Sequence, residues 1–261
     1  MADSITEFTL KLARHLLVVN GQVGVVSISG FVGYLTLLLV DQGLRGPAKD
    51  HLSEFLDCNY SFIGISYTND LEFECQNIFR MDEFRHIGSV KSAIFHSQKS
   101  VETFKQMALE FYDMEFQEIE PFSNTRQYYI ITEWANSLRG VPMNDILVEP
   151  YGKELSLLMI NEYTIRFQWR TPFLLRSTKK VSFTDITNKE HMILMMRMVD
   201  YFKFYNDLYL KASVVFIPLV DQDIFAAAVL PDEDNNVIEL LKNMNVRFVV
   251  YSEQKNEYMV S

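Results

Sequence analysis

Ile5, Phe8, Leu12 and Leu16 recur at the spacing of one helix face, while Glu7, Lys11 and Arg14 fall off it. This pattern predicts an amphipathic helix over residues 5–19. A run without any charge follows, from Val23 to Val40. It meets the length rule for a membrane span. However, Gly24, Gly30 and Gly33 break it, Ser27 and Ser29 sit inside it, and no basic cluster flanks it. A buried strand over 23–26 followed by a buried helix over 31–40 accounts for the same residues, so no membrane span is expected. Pro47 stands where a first helical turn begins, and Leu52, Phe55 and Leu56 supply the apolar stripe of the next helix. Two further helices are predicted. One covers 100–111, with Phe104, Ala108 and Phe111 on one side; the other covers 125–138, with Ile130, Ile131, Trp134 and Leu138.

Beyond residue 150 the pattern changes. Residues 155–160 form a short, nearly all-apolar run, as expected for a strand covered on both faces. Strand-like runs recur at 163–169, 192–196, 201–205, 212–217 and 224–230, several of them separated by turn residues. Asp234 is positioned to cap a last helix over 237–244, and 246–251 reads as a final strand. Helices thus dominate the first half and strands the second, which favours α+β over alternating βαβ units. No repeat, low-complexity stretch or linker divides the chain, so a single domain over residues 1–261 is expected.

Composition narrows the function classes. The 261 residues are 48% hydrophobic and 22% charged, an ordinary globular balance. A net charge of −10 argues against a nucleic-acid partner, which needs a basic face to replace phosphate counterions. The two cysteines, Cys58 and Cys75, are too few for a disulfide framework and read as buried thiols. Charges at Glu7, Lys11 and Arg14 interrupt each apolar run that could serve a signal peptide, which favours an intracellular location. The sequon Asn59-Tyr60-Ser61 matters only for an exported chain.

Little in the sequence reads as catalytic. The five histidines (His15, His51, His86, His96, His191) show no metal-ligand spacing, and neither CxxC nor HExxH occurs. There is no GxSxG elbow, P-loop or GxGxxG. Pairs such as Glu72 and Glu74 fit a solvated strand face. The aromatics are interleaved with apolar residues, as in a core, and not with basic ones. No enzyme activity, cofactor or metal is expected.

An ordered set of landmarks runs through the second half. Asn161 ends the apolar run and Trp169 follows it. Then come Thr171-Pro172-Phe173, Thr178, Phe183, Met195-Met196, Ile217-Pro218 and Leu230-Pro231-Asp232-Glu233. This order resembles the serpin pattern "N-x-x-x-F-x-G-x-W-x-x-P-F", a T and F downstream, "MM", "LPY" and "LPDE". In the first half, Phe8 to Leu12 looks like the first serpin helix. Leu39 to Leu52, around Gly43, is similar to "LG-x-K-G-x-T". Asn77-Ile78-Phe79 matches "N-x-[IL]-F". Ile131, Trp134, Gly140 and Ile146 resemble "IN-x-W-V-x-x-x-T-x-G" and its continuation. The resemblance runs from residue 5 to about 244.

The resemblance implies a partial serpin fold of α+β class, with N-terminal helices packed on mixed and antiparallel β-sheets. It also implies a mechanical mode of action: a protease cleaves an exposed loop, the loop inserts as a strand into the central sheet, and the trapped protease is distorted. Ser29 and Asn161 resemble residues of the shutter that locks neighbouring strands, and Trp169 resembles the aromatic at the breach where insertion begins. Bland readings stand beside these: an Asn satisfying backbone at a strand end, and a core Trp. Several positions depart from the pattern. Ser29-Gly30-Phe31-Val32 replaces Ser-Pro-x-Ser, Phe167 replaces the Gly before the Trp, the Trp134–Gly140 stretch is one residue short, and Leu219 replaces the Tyr of LPY. After Glu233 no small-residue hinge and no reactive-centre loop can be assigned, and residues 246–261 read either as an alternative ending or as the remnant of a later strand. The expected function is therefore a serpin-family protein that is non-inhibitory. The alternative is an interaction module that binds another chain, such as a full-length serpin or its own copy, through an incomplete sheet. Proteases are partners by resemblance only, and the resemblance also carries an extracellular location as the alternative.

Overall fold

The computed structural model of the chain describes residues 2–21, 25–56, 88–98, 102–138, 155–185, 188–221, 224–244 and 257–260. Cys58, Cys75, the sequon, Glu72, Glu74, Asn77-Ile78-Phe79, Gly140, Ile146 and the strand expected over 246–251 lie outside these residues. Backbone contacts group the chain into two compact units, Met1–Phe31 with Phe167–Ser261, and Val32–Arg166.

The unit Val32–Arg166 is built on a mixed three-stranded sheet, in the order β2 (Met114–Glu118), β1 (Gly88–His96), β3 (Leu157–Ile165). β1 pairs parallel with β2 and antiparallel with β3. A parallel neighbour needs a crossover connection, and helix α4 (Glu102–Tyr112) makes it. In α4, Phe104 meets Phe116 of β2 edge-on, with ring centroids 6.3 Å apart. Ala93 and Phe95 of β1 form a core cluster with Ile119 and with Ile131, Trp134 and Ala135 of helix α5 (Asn124–Ser137). Phe95 and Trp134 stack edge to face at 5.8 Å. Neither β1 nor β2 was expected from the sequence. Ser89, Lys91 and Ser92 dilute the apolar run of β1, and β2 is only five residues long.

Helix α2 (Gly30–Gly43) confirms the helix read over 31–40, with Val32, Tyr34, Leu35, Leu38 and Leu39 buried. It pairs with α3 (Pro47–Phe55). Tyr34 donates its hydroxyl to the Leu56 carbonyl at 2.6 Å, and Ser53 donates to the buried Asp41 at 2.7 Å. Pro47 does open α3, behind Gly46 at φ 65. Gly43 allows a close approach: a Cβ there would lie 3.0 Å from the Phe104 ring. Of the strand expected over 23–26, residues 23 and 24 lie outside the described residues, and the part at 25 and 26 is corrected. Residues 25–29 form neither strand nor helix, and Val25 is 95% exposed. Three or four apolar residues flanked by glycine specify no partner, so the apolar pattern alone was no evidence of burial. Among the described residues no helix is long and apolar enough to cross a membrane.

The other unit holds α1 (Ala2–Val19), the ribbon β4 (Lys179–Thr184) with β5 (Glu190–Met195), and a four-stranded antiparallel sheet. That sheet runs β8 (Phe225–Pro231), β7 (Ala212–Pro218), β6 (Asp200–Asp207), β9 (Glu257–Val260). β7 alternates buried and half-buried residues along its whole length, with Ala212, Val214 and Phe216 inward. Leu210 and Ala212 pack on Leu240 of helix α6 (Val237–Asn243). Asn236 caps α6 by accepting from the Glu239 N–H at 2.9 Å. The expected cap, Asp234, instead pairs with Lys211 at 2.7 Å. An Asx side chain caps the helix that starts directly after it, and Asp234 stands too early. The β4–β5 ribbon is more exposed than its apolar sequence suggests: Met192, Leu194 and Met195 are all exposed.

Two further corrections concern the segment around β3. The runs read as separate strands over 155–160 and 163–169 are one strand that ends at Ile165. It is not covered on both faces, since Leu157 is 51% exposed and most other positions are half-buried. Apolar letters alone do not say which layer packs on a strand's faces, and among the described residues β3 has β1 on one edge and no strand on the other.

Candidate functional site

Ser92 and Asn161 are directly opposed in the β1–β3 register. Ser92, only 3% exposed, donates its hydroxyl to Asn161 Oδ1 at 2.7 Å. Asn161 Nδ2 donates to Thr36 Oγ1 of α2 at 3.0 Å, and the Thr36 hydroxyl donates onward to the Val32 carbonyl at 2.8 Å. Each hydroxyl gives one proton and the amide uses both ends, so the relay runs in one direction with every group satisfied. It fastens two strands to each other and to the helix on one face of the sheet, opposite the face that packs on α5. Asn161 therefore joins β3 to β1 and to α2. Thr36 and Ser92 were not anticipated. Thr36 had no signal beyond a polar residue in an apolar helix, and Ser92 lay in a strand that was not read at all. Ser29 lies half-buried at the entry to α2, about two helical turns before Thr36, in the unit that does not contain Asn161.

Trp169 gathers the second group. It forms an isolated antiparallel bridge with Leu219. Arg170 N–H donates to the Pro218 carbonyl at 3.1 Å, and Val220 N–H donates to Gln168 at 2.9 Å. The Trp169 ring packs edge-on against Phe173 at 5.9 Å. Thr171 donates to Asp200 Oδ2 at 2.5 Å, at the start of β6. The landmarks Trp169, Thr171-Pro172-Phe173 and Ile217-Pro218, far apart in sequence, thus meet in one corner of one unit. The Thr171 hydrogen bond, then the Tyr201 N–H and the Arg170 charge, hold the Asp200 carboxyl below its ordinary range.

Neither group contains a His or Cys, and the one hydroxyl–carboxylate pair, Thr171 with Asp200, ties two backbone segments together. Among the described residues no three His, Cys, Asp or Glu side chains gather as a metal site would require. The Asn161 relay and the Trp169 corner position backbone. Their chemistry is hydrogen bonding and packing.

Two measurements check these assignments. Asn161→Ala leaves the buried Ser92 hydroxyl without its acceptor and should cost about 1–3 kcal/mol in urea unfolding. Ser92→Ala and Asn161→Ala together should cost clearly less than the sum of the single changes, because both break one shared contact. For Asp200, the folded pKa lies below the ordinary 3.8. Its contribution to stability is thus present above that pH and is lost as pH falls below it toward the folded value. Thr171→Val should bring the Asp200 resonance, followed by carbon NMR titration, back up toward the ordinary range and flatten the acid limb of the stability profile.

The comparisons agree with this geometry. The family model described as Serpin (serine protease inhibitor) matches residues 3–259. It therefore reaches past residue 244 and includes β9. A search of curated protein sequences finds no match. Among solved structures, Manduca sexta serine protease inhibitor (serpin)-12 is similar at a TM-score of 0.77 and 19% identity, over 97% of this chain and 70% of that one. Mouse protein-Z dependent protease inhibitor is similar at 0.79 and 18% identity, over 98% and 68%. Reactive-loop-cleaved human thyroxine-binding globulin is similar at 0.75 and 17% identity, over 100% and 77%. At these identities the structures establish the fold, and the family match over nearly all of its length establishes that this chain belongs to the serpin family.

Proposed function

We propose that the 261 residues act as one serpin-family domain that is not an enzyme and does not trap proteases by the family mechanism. Three features support this reading. The family match runs without a break through both compact units. Residues 234–261 contain no Ala, Thr or Gly, the residue types of the family's hinge. The polar groups at the strand lock are fully engaged with one another. Proteases remain the partners that family membership implies. Mixed with a panel of serine and cysteine proteases, this chain should give no SDS-stable covalent complex on a gel, and such a complex with any of them would overturn the proposal.

One observation favours a second reading, in which the chain binds an extended strand from another protein. The β3 edge away from β1 has no strand beside it among the described residues. An edge strand is a template for another chain, and the occupant would be a strand from a second copy or from a full-length serpin. Leu158 and Ile160 pack toward the Phe95–Trp134 cluster. Alternation along the strand therefore puts Leu157 and Met159 on the other face. Leu157→Lys with Met159→Lys should lower self-association, or capture of a labelled serpin, in analytical ultracentrifugation while leaving the circular dichroism intact. A wild-type chain that stays monomeric at micromolar concentration, captures no serpin and shows protected amides along Leu157–Ile165 would exclude the edge as a docking site.

A further inference from the structure

A two-stranded ribbon is too thin to bury its own side chains, and both faces of β4–β5 reach solvent. The register opposes Lys180 with Leu194 and Ser182 with Met192, and between these pairs it opposes Lys179 with Met195 and Val181 with Ile193. Alternation puts the first two pairs on one face and the last two on the other. On the first face Met192 and Leu194 are 68% and 69% exposed. On the second, Val181 and Met195 are exposed as well. Leu175, in the short 3-10 turn just before β4, is 88% exposed.

Charge is spread unevenly over the same ribbon. Arg176, Lys179, Lys180 and Arg197 gather, by sequence and register, at the end away from the hairpin turn, and all four are exposed. Residues 174–184 and 191–199 contain no Asp or Glu. The carboxylates of the hairpin, Asp185 and Glu190, stand at the turn, where Asp185 Oδ2 lies 2.8 Å from His191 Nε2 and Glu190 accepts from Ser182 at 3.3 Å. The whole chain has 24 Lys and Arg against 34 Asp and Glu, so this cationic end runs against the composition around it.

We propose that this end of the β4–β5 ribbon docks on an anionic lipid surface. Cations alone would suit any polyanion. What selects a headgroup layer is the interleaving of cations with exposed apolar side chains, Leu194 opposite Lys180 and Met195 opposite Lys179. On a bilayer the cations sit at the level of the phosphates and the apolar side chains enter the acyl boundary, so both terms favour the same pose. Each Lys can lay its hydrocarbon stem along apolar surface while its ammonium stays among the headgroups. Met, unbranched and flexible, adapts to a disordered acyl layer. A soluble polyanion would gain nothing from Leu175, Met192 or Leu194.

The test is sedimentation of the full chain with vesicles of phosphatidylcholine alone and of phosphatidylcholine with phosphatidylserine in equal parts. The chain should bind the mixed vesicles, leave the neutral ones unbound, and be released as salt is raised. Lys179→Gln with Lys180→Gln should weaken binding about 25-fold, at about fivefold for each cation lost from an anionic surface, with circular dichroism unchanged. Met192→Ser with Leu194→Ser should also weaken it, by a step that added salt does not remove. Leu194→Trp should keep binding, and its added fluorescence should move to the blue on mixed vesicles as the indole leaves water. Equal binding to neutral and mixed vesicles, binding to soluble heparin but not to vesicles, or Leu194→Trp emission that does not move on bound vesicles would each overturn the proposal.

Discussion

Ser92 donates to Asn161 from the middle of the strand on which its unit is centred. β1 carries a neighbour on each edge and is buried on both faces from Ser92 to Phe95. On one face Ala93 and Phe95 meet Trp134 and Ile131. On the other, the Ser92 hydroxyl would be a buried polar group without water, a loss that folding tolerates only when the group is bonded. Asn161 resolves this by accepting from Ser92 and donating to Thr36, and so the register of β3 and the seat of α2 become coupled. A slip of β3 by one residue would break the relay and turn its apolar set to the wrong face together.

The unit with α1 and the Trp169 corner follows a different logic. Its strands are consecutive antiparallel neighbours from β6 to β8, joined by short turns. The β6–β7 turn is built by Asp207, which accepts from the Tyr209 and Leu210 N–H groups at 2.9 Å. Asn235 donates to the Leu210 carbonyl at 2.7 Å from the segment leading into α6. The Leu230-Pro231-Asp232-Glu233 motif falls at the end of β8, where the Asp232 N–H donates to the Lys211 carbonyl at 2.9 Å. A motif recognised by its letters thus has a local mechanical reason. It closes a sheet edge onto a turn and leads into a helix.

Several elements were legible because their signals are local. The stripe of Ile5, Phe8, Leu12 and Leu16, the Pro47 start, and the apolar runs of β6, β7 and β8 each needed only the period of the element that holds them. The landmarks Asn161, Trp169 and Ile217-Pro218 were legible as letters in order. β1 was missed because a strand paired on both edges can carry Ser and Lys at one end and still bury the other, so its sequence shows no period, and β2 because five residues are too few to show one. The strand over 23–26 was expected from hydrophobicity alone, and Val25 shows that an apolar residue is not thereby an inside one.

The sequence by itself determined the family, the α+β class, the helices α1 to α6 in outline, and the identity of Asn161 and Trp169 as positions of interest. Only the tertiary structure decided what those residues touch. Asn161 meets Ser92 and Thr36, and Trp169 meets Leu219 and Phe173, across separations in sequence that no periodicity encodes. The same is true of the exposure of β3 and of the β4–β5 ribbon. Local pattern reports which face of an element is apolar. What covers that face, or leaves it open, depends on which distant segment packs there, and that is set by the register and packing of the whole unit.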